Sequence, residues 1–439
     1  ANVTMEIQPF LTDLDLIVGT EEEIMIAGGG QTLEKSLSSI DSLSSATIVL
    51  KRGAEGCMVY SNDFTSPVSA RSFKIKVLNV LGAGDSFMSG FLRGWLRNES
   101  LEKCALYGNA CGALVVTRHG CSPSSPSFAE VKHFIRNFDK VANLAHHPKM
   151  NQLHSHIEFG KQRDHKLLIF DFDQRNKFEE SCSKMNLPLE KIFRFKELIH
   201  KGFHSVSKTI NNNYLAVLID QKYGKEILNN SSDFNYIVGV PIEDDRFSKL
   251  NWLCEGSLYQ HLLKHPSKWI TKVLLRFHSE MNPEYKKYQL TQLRKLSGVC
   301  SELKRKLMVE LLITKDFSKK DDLIVNELVL KDAIVEVYKE GIYPYWWKIN
   351  AVESKNKWKK LNEVFEEYDP QANLIFQFNF SQIEKIPAWL NTVSSNSQNF
   401  GLAMGQSIFW ELWQKYIVGN AEDEQVISAV QERFQKFLN

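Results

Sequence analysis

The sequence predicts an α/β protein in two parts, a partial open α/β sandwich followed by a closed (β/α)8 TIM barrel. Three observations predict it. Short apolar runs rich in β-branched residues and bounded by glycine recur between residues 14 and 60, as in strands buried on both faces of a sheet. From residue 166 onward, strand-like runs alternate with longer helical patterns eight times. Between these parts, residues 141–165 carry five histidines with little apolar periodicity, which reads as a linker. The expected division is therefore 1–140, a linker over 141–165, and 166–439.

In the first part, residues 14–19 and 46–51 read as strands, Arg52–Gly56 as a turn, and Cys57–Tyr60 as the strand leaving it. Phe73–Val77 alternates like a half-exposed strand, and helical spacing follows over 83–97, 101–117 and 127–140. The chain opens Ala1-Asn2-Val3 without Met and reaches an interior-type strand almost at once. It reads as beginning partway through a longer protein.

The barrel strands are expected at Leu167–Asp173, Leu215–Ile219, Tyr236–Val240, Thr271–Phe277, Leu307–Leu312, Tyr345–Asn350, Leu374–Phe378 and Gly401–Met404. Eight β/α units in about 270 residues is the length of a closed parallel barrel. An open doubly wound sheet uses the same alternation, but no glycine-rich nucleotide turn accompanies these eight strands.

Bulk properties exclude some functions. There are 54 basic and 52 acidic residues among 439, a net charge of +2, so nothing in the charge favours a nucleic-acid or membrane partner. No apolar run approaches the roughly 20 residues of a membrane helix, and no charged-then-apolar leader opens the chain. Seven scattered cysteines without a C-x-x-C pair fit a reduced, cytoplasmic protein. His154-x-His156 invites a metal reading, but a solvated linker explains it as well and four ordered ligands are lacking. No metal is expected.

The most informative stretch of the first part is Val77-Leu78-Asn79-Val80-Leu81-Gly82-Ala83-Gly84-Asp85-Ser86-Phe87. Two glycines let the backbone approach a ligand, and the helix beginning there offers free N–H groups and a positive dipole end to a phosphate. An Asp beside a substrate hydroxyl takes its proton as the oxygen attacks phosphorus. An ordinary Asp-capped helix accounts for the spacing equally well.

Further motifs favour the first reading. Gly82-Ala83-Gly84-Asp85, Thr20-Glu21-Glu22-Glu23, the turn Lys51-Arg52-Gly53-Ala54-Glu55-Gly56 and Asn109-Ala110-Cys111-Gly112-Ala113 stand in the order found in the ribokinase/PfkB family of sugar kinases, which this part resembles. Asn79-Val80-Leu81 and Arg118-His119-Gly120-Cys121-Ser122-Pro123 resemble its 5-dehydro-2-deoxygluconokinase branch. The resemblance covers residues ~10–140 of the chain. It implies an anion hole at Gly82, Ala83 and Gly84, Asp85 as catalytic base, ATP with Mg2+ as cofactor, and Lys51, Gly53, Gly56 and Asn109 around the nucleotide. It also implies a sugar-acid substrate and, since such kinases are often dimers, a homo-oligomer. The family's first half, with most sugar contacts, has no counterpart here. Since positioning supplies much of phosphoryl transfer, this chain alone is expected to show little kinase turnover.

In a closed barrel, chemistry gathers at the C-terminal strand ends. Strand one ends Asp171-Phe172-Asp173-Gln174-Arg175, and Lys272, Glu310 and Lys348 stand in strands four, five and six. Alternation puts Lys348 with Trp346 and Glu310 with Met308. Charged groups at apolar strand positions need one another. A lysine in an aromatic-walled site beside another cation is expected to have a lowered pKa, so that its neutral amine attacks a ketone to form an imine. Glu310 or Asp173 then serves as base. Two buried Lys–acid salt bridges filling a core account for the same spacing.

Asp173, Arg175, Lys272, Glu310 and Lys348 fall in the order of the tagatose-bisphosphate type of class I aldolase, which the barrel resembles. Gly341–Lys348 and Gly405–Phe409 resemble the domain fused behind 5-dehydro-2-deoxygluconokinase in many bacteria. That resemblance implies a Schiff base on Lys348, no cofactor for the barrel, and cleavage of the 6-phosphate to dihydroxyacetone phosphate and malonate semialdehyde in inositol breakdown. Arg175, Gly405 and Gln406 would hold the substrate phosphate. Two features depart from the pattern: Gly405-Gln406 replaces Gly-Arg, and strand seven carries bulky Phe where relatives have small residues. Competing readings are another PfkB-type sugar kinase with an inactive barrel, and a non-catalytic sugar-phosphate scaffold.

Overall fold

The computed structural model describes residues 3–138 except 62, 147–160, 167–209, 214–254, 256–278, 280–314, 327–352, 354–393 and 400–438. It divides into two compact units, Ala1–Asn151 and Gln152–Asn439.

The first unit holds a four-stranded sheet in the order β1 (Leu16–Thr20), β2 (Thr47–Lys51), β3 (Cys57–Ser61), β4 (Asp63–Ser69). Strands β1 and β2 are parallel, joined through the helices Glu21–Gly28 and Leu33–Leu43, whereas β3 and β4 are added antiparallel. Ile48 and Leu50 pack on one face with Ile17, Ile24 and Ile40. Val49, between them, packs on the other face with Val59, Phe87 and Phe91. Two-sided burial is why β2 reads as an unbroken apolar run. The helices Ala83–Trp95, Leu101–Val115 and Phe128–Asn137 lie where spacing predicts them.

One expectation fails here, and one strand was not foreseen. Phe73–Val77 pairs with no strand among the described residues; Phe73 instead enters a cluster with Phe134 and Leu114. The fourth strand is Asp63–Ser69, whose Pro67 and polar residues conceal it. Pro is tolerated there because β4 ends the sheet.

The linker expectation also changes. Residues 148–160 form a helix, Pro148–Gly160, with Met150, Leu153 and Ile157 buried. His154 and His156 stand two apart on it, a spacing that puts side chains on different faces, and His156 Nε2 is 2.9 Å from Asp369. The boundaries proposed at 140/141 and 165/166, with His146 and His165, lie outside the described residues.

The second unit is a closed barrel of eight parallel strands: β5 (Leu168–Asp171), β6 (Leu215–Leu218), β7 (Ile237–Pro241), β8 (Ile270–Phe277), β9 (Leu307–Ile313), β10 (Trp346–Asn350), β11 (Asn373–Phe378) and β12 (Phe400–Met404). Pairing of β12 with β5 closes it. Leu167, Ile169, Ala216, Ile270, Met308, Trp346, Ile375 and Ala403 fill its interior. Alternate residues turn outward, where Phe170, Phe178, Phe203, Phe409 and Phe434 make ring contacts against the helices. No helix among the described residues is long and apolar enough to cross a membrane.

Candidate active site

Charged side chains replace apolar ones one layer above the barrel's core. Strand register sets Lys348 beside Glu310 and Trp346 beside Met308, so the Lys348–Trp346 and Glu310–Met308 faces expected from alternation meet inside. Lys348 Nζ donates to Glu310 Oε1 at 2.6 Å and to Asp171 Oδ2. Lys272 Nζ lies 2.7 Å from Glu310 Oε2, 2.9 Å from Asp173 and 3.7 Å from Glu243. Glu310 therefore bridges the two lysines. Its side chain keeps 23% of its surface open while those of Lys272 and Lys348 keep 3% and 1%, so the bridging carboxylate is the most accessible group of the three.

Sequence reasoning left three members of this cluster out. Asp171 is the second partner of Lys348. Glu243 and Asp245 follow β7 and hold Arg175, at 3.6 Å and 3.2 Å. The run Glu243-Asp244-Asp245 directly after a barrel strand was the available signal.

Proton affinities follow from the excess of acids. Burial alone would lower the pKa of Lys348, but Asp171 and Glu310 outweigh both burial and Lys272, and the pKa is raised. The expected depression is thus reversed, because two carboxylates touch the amine and the second lysine is drawn off by acids of its own. Lys272, buried too, is raised further by Asp173, Glu310 and Glu243. Burial and then Asp173 push Asp171 up to about 7, against the pull of Lys348. For Asp173 burial is overcome by Lys272 and Lys348, and its carboxyl is held well below the usual range.

The proposed phosphate residues are arranged differently from expectation. Arg175 is buried and engaged by Glu243 and Asp245, and its Nη2 also donates to the Glu243 carbonyl at 2.9 Å. Gly405 stands against Asp171: a Cβ there would lie 2.9 Å from the Asp171 carbonyl oxygen. Gln406 Oε1 accepts from Lys177 Nζ at 2.7 Å, which brings a cation to the strand end that lacks the expected Arg. Phe376 packs on Trp358 and Trp389, and Phe378 on Trp389, in the outer layer. They do not fill the mouth; Ile375 and Gln377 are the inward residues of β11.

In the first unit, Gly82 takes a left-handed conformation (φ 79°) immediately before the helix Ala83–Trp95, a turn that favours glycine. Asp85, in the helix's first turn, is exposed. A Cβ on Gly84 would lie 3.6 Å from Lys51 Nζ, so this ammonium stands close to the helix start. Lys51 is also 3.5 Å from Glu23, whose Oε2 accepts from Thr20 N–H at 2.6 Å in a capping box. Gly53 turns with φ 56° in open surroundings, and Gly56 abuts the Asn109 amide. Asn109 Nδ2 donates to the Ala70 and Arg71 carbonyls at 3.3 Å and 3.2 Å, while its buried Oδ1 has no hydrogen-bond partner. Helix amides, a left-handed glycine and a lysine at one point fit a phosphate group.

Comparison with known proteins divides the chain similarly. A model of the pfkB family of carbohydrate kinases matches residues 3–127. One of uncharacterised proteins conserved in bacteria, DUF2090, matches residues 130–439. The 5-dehydro-2-deoxygluconokinase of Bacillus licheniformis is 34% identical over 123 residues, 28% of this chain and 38% of that one. That of Listeria innocua is 33% identical over 127 residues, 28% and 39% of the two chains. The chain thus spans under two fifths of the length of these relatives. Among solved structures, ribokinase from Thermotoga maritima is 26% identical, covering 30% of this chain and 45% of that one at a TM-score of 0.28. A putative ribokinase II from E. coli, in complex with ATP and Mg2+, is 23% identical over 31% and 46% at 0.29.

Proposed function

Because this chain belongs to the DUF2090 family and carries a pfkB-type segment ahead of that domain, we propose that its barrel is a lysine-imine aldolase paired with a sugar-acid kinase. The substrate would be the 6-phosphate of 5-dehydro-2-deoxygluconate, a phosphorylated form of the sugar acid for which the kinases among its relatives are named. The observation that carries the reading is Lys348, enclosed in the barrel and bonded to Asp171 and Glu310.

The chemistry follows from those contacts. Lys348 must first surrender a proton, and Asp171, whose carboxyl is pushed up to about 7, is the acceptor in contact with it. The neutral amine condenses with the C5 ketone, releasing water. The resulting iminium draws the electron pair of the C3–C4 bond as Glu310 takes the C3 hydroxyl proton. That bond breaks to give malonate semialdehyde and an enamine, which protonation and hydrolysis convert to dihydroxyacetone phosphate and free lysine. Lys272, 2.7 Å from Glu310, keeps the base ionised beforehand. Lys177 offers the phosphate a charge near Gln406.

For the first unit, ATP with Mg2+ would supply a transferable phosphoryl group. Lys51 and the amides from Gly82 to Gly84 would hold phosphate oxygens, and Asp85 would take the hydroxyl proton. One observation favours a second reading, a sugar-phosphate-binding barrel without turnover: both lysines hold their protons more firmly than a free lysine. Release of dihydroxyacetone phosphate from the 6-phosphate, followed with a coupled dehydrogenase, separates the two. Turnover that is lost in Lys348→Ala is expected; no release by the wild-type chain would leave only the binding reading.

A further inference from the structure

A cavity of about 470 Å³ opens at the end of the barrel away from Lys348. Leu307, the first residue of β9, and Tyr345, which precedes β10, lie on its wall. It is the N-terminal face, away from Lys348, and its volume suits a small ligand.

Its charge is one-sided. Lys304 and Arg305 line it with His154 and His156, and among the described residues no Asp or Glu does. The acid behind His156, Asp369, is held at 2.9 Å by that imidazole. Arg305 is 8% exposed. Its Nη1 and Nη2 donate to the carbonyls of Pro266 and His265 at 3.0 Å and 2.6 Å, which fixes the guanidinium behind the wall. A buried cation whose partners are neutral carbonyls favours an anion nearby. The remaining wall supplies hydroxyls from Ser155, Ser297 and Ser301, and aromatic faces from Tyr343 and Tyr345. Such a lining suits a molecule with an anionic head, several hydroxyls and an apolar carbon face.

We propose that this cavity binds a small hydroxylated anion, a sugar acid or sugar phosphate, at a site separate from the Lys348 mouth. The anionic group meets Lys304 within the field of Arg305, and the hydroxyls meet the serines. Glu310 stands three residues along β9 from Leu307, and Lys348 three along β10 from Tyr345, roughly 10 Å at strand rise. The ligand thus rests on the two strands that carry the lysine site.

Calorimetric titration of the full chain with D-gluconate 6-phosphate and with D-gluconate tests this. Two variants locate the ligand: Ser301→Trp, which fills the cavity, and Lys304→Glu, which reverses an exposed charge at its edge. Binding in the wild type, weakened about tenfold by Lys304→Glu and abolished by Ser301→Trp, is expected. Tighter binding of the phosphate identifies it as the anionic head; equal binding identifies the carboxylate. Near-ultraviolet circular dichroism checks that Ser301→Trp folds, and Lys304→Glu decides if it does not. No binding in the wild type, or unchanged affinity in Lys304→Glu, overturns the proposal. Neither outcome depends on whether the barrel cleaves a substrate.

Discussion

The two candidate sites use the same pair of groups, a lysine and a glutamate, in opposite surroundings. Lys348 and Glu310 meet at 2.6 Å inside a barrel, with the amine 1% exposed. Lys51 and Glu23 meet at 3.5 Å between the end of β2 and the start of the helix Glu21–Gly28, with 22% and 60% of their side chains exposed. Enclosure makes the first pair part of a network whose proton affinities are all displaced. Exposure leaves the second as a screened contact worth little by itself. The lesson is that a lysine's chemistry is set by how many acids share its enclosure, not by the presence of a second cation.

Substitutions at matched positions sharpen the contrast. Lys348→Met leaves Asp171 and Glu310 without their shared cation and should cost about 3 kcal/mol in urea unfolding; a loss below 1 kcal/mol would show that the network is slack. Gly82→Val in the open turn forces a branched residue to φ 79° and sets a Cβ 2.7 Å from Cys121 Sγ. It should cost about 2 kcal/mol while leaving the barrel's chemistry intact.

Asp171 gives a smaller effect with a definite sign. Its carboxyl binds a proton more firmly in the fold than in the unfolded chain, so the stability it contributes is complete below the ordinary carboxylate range and falls as pH rises through about 7. Between about pH 6 and about pH 8 the wild type should lose about 1 kcal/mol that Asp171→Asn does not lose, read from urea midpoints. The least effect is expected from Glu23→Gln, under about 0.5 kcal/mol; a larger loss would mean that the exposed pair is not merely screened.

Much of this was legible in residue order. All eight barrel strands stand out because outward positions are as apolar as inward ones, as in Leu374–Phe378. Lys272, Glu310 and Lys348 were visible as charges where the pattern demanded apolar groups. Asp171 was not singled out, because its role depends on meeting a lysine 177 residues away. The sign of the Lys348 shift was illegible for the same reason, since it turns on a count of neighbours from β5 and β9. Helix Pro148–Gly160 was hidden by its histidines, although Met150, Leu153 and Ile157 recur at helical spacing. Alternation misled at Phe73–Val77, where Phe73 packs among helices instead of in a ladder.

Borohydride reduction of the chain in the presence of dihydroxyacetone phosphate, followed by peptide mass mapping, tests the central claim most directly. The account predicts a single reduced adduct on Lys348, absent from Lys348→Ala, with Lys272 unmodified. An adduct on Lys272 or outside the barrel, or none at all, would contradict it.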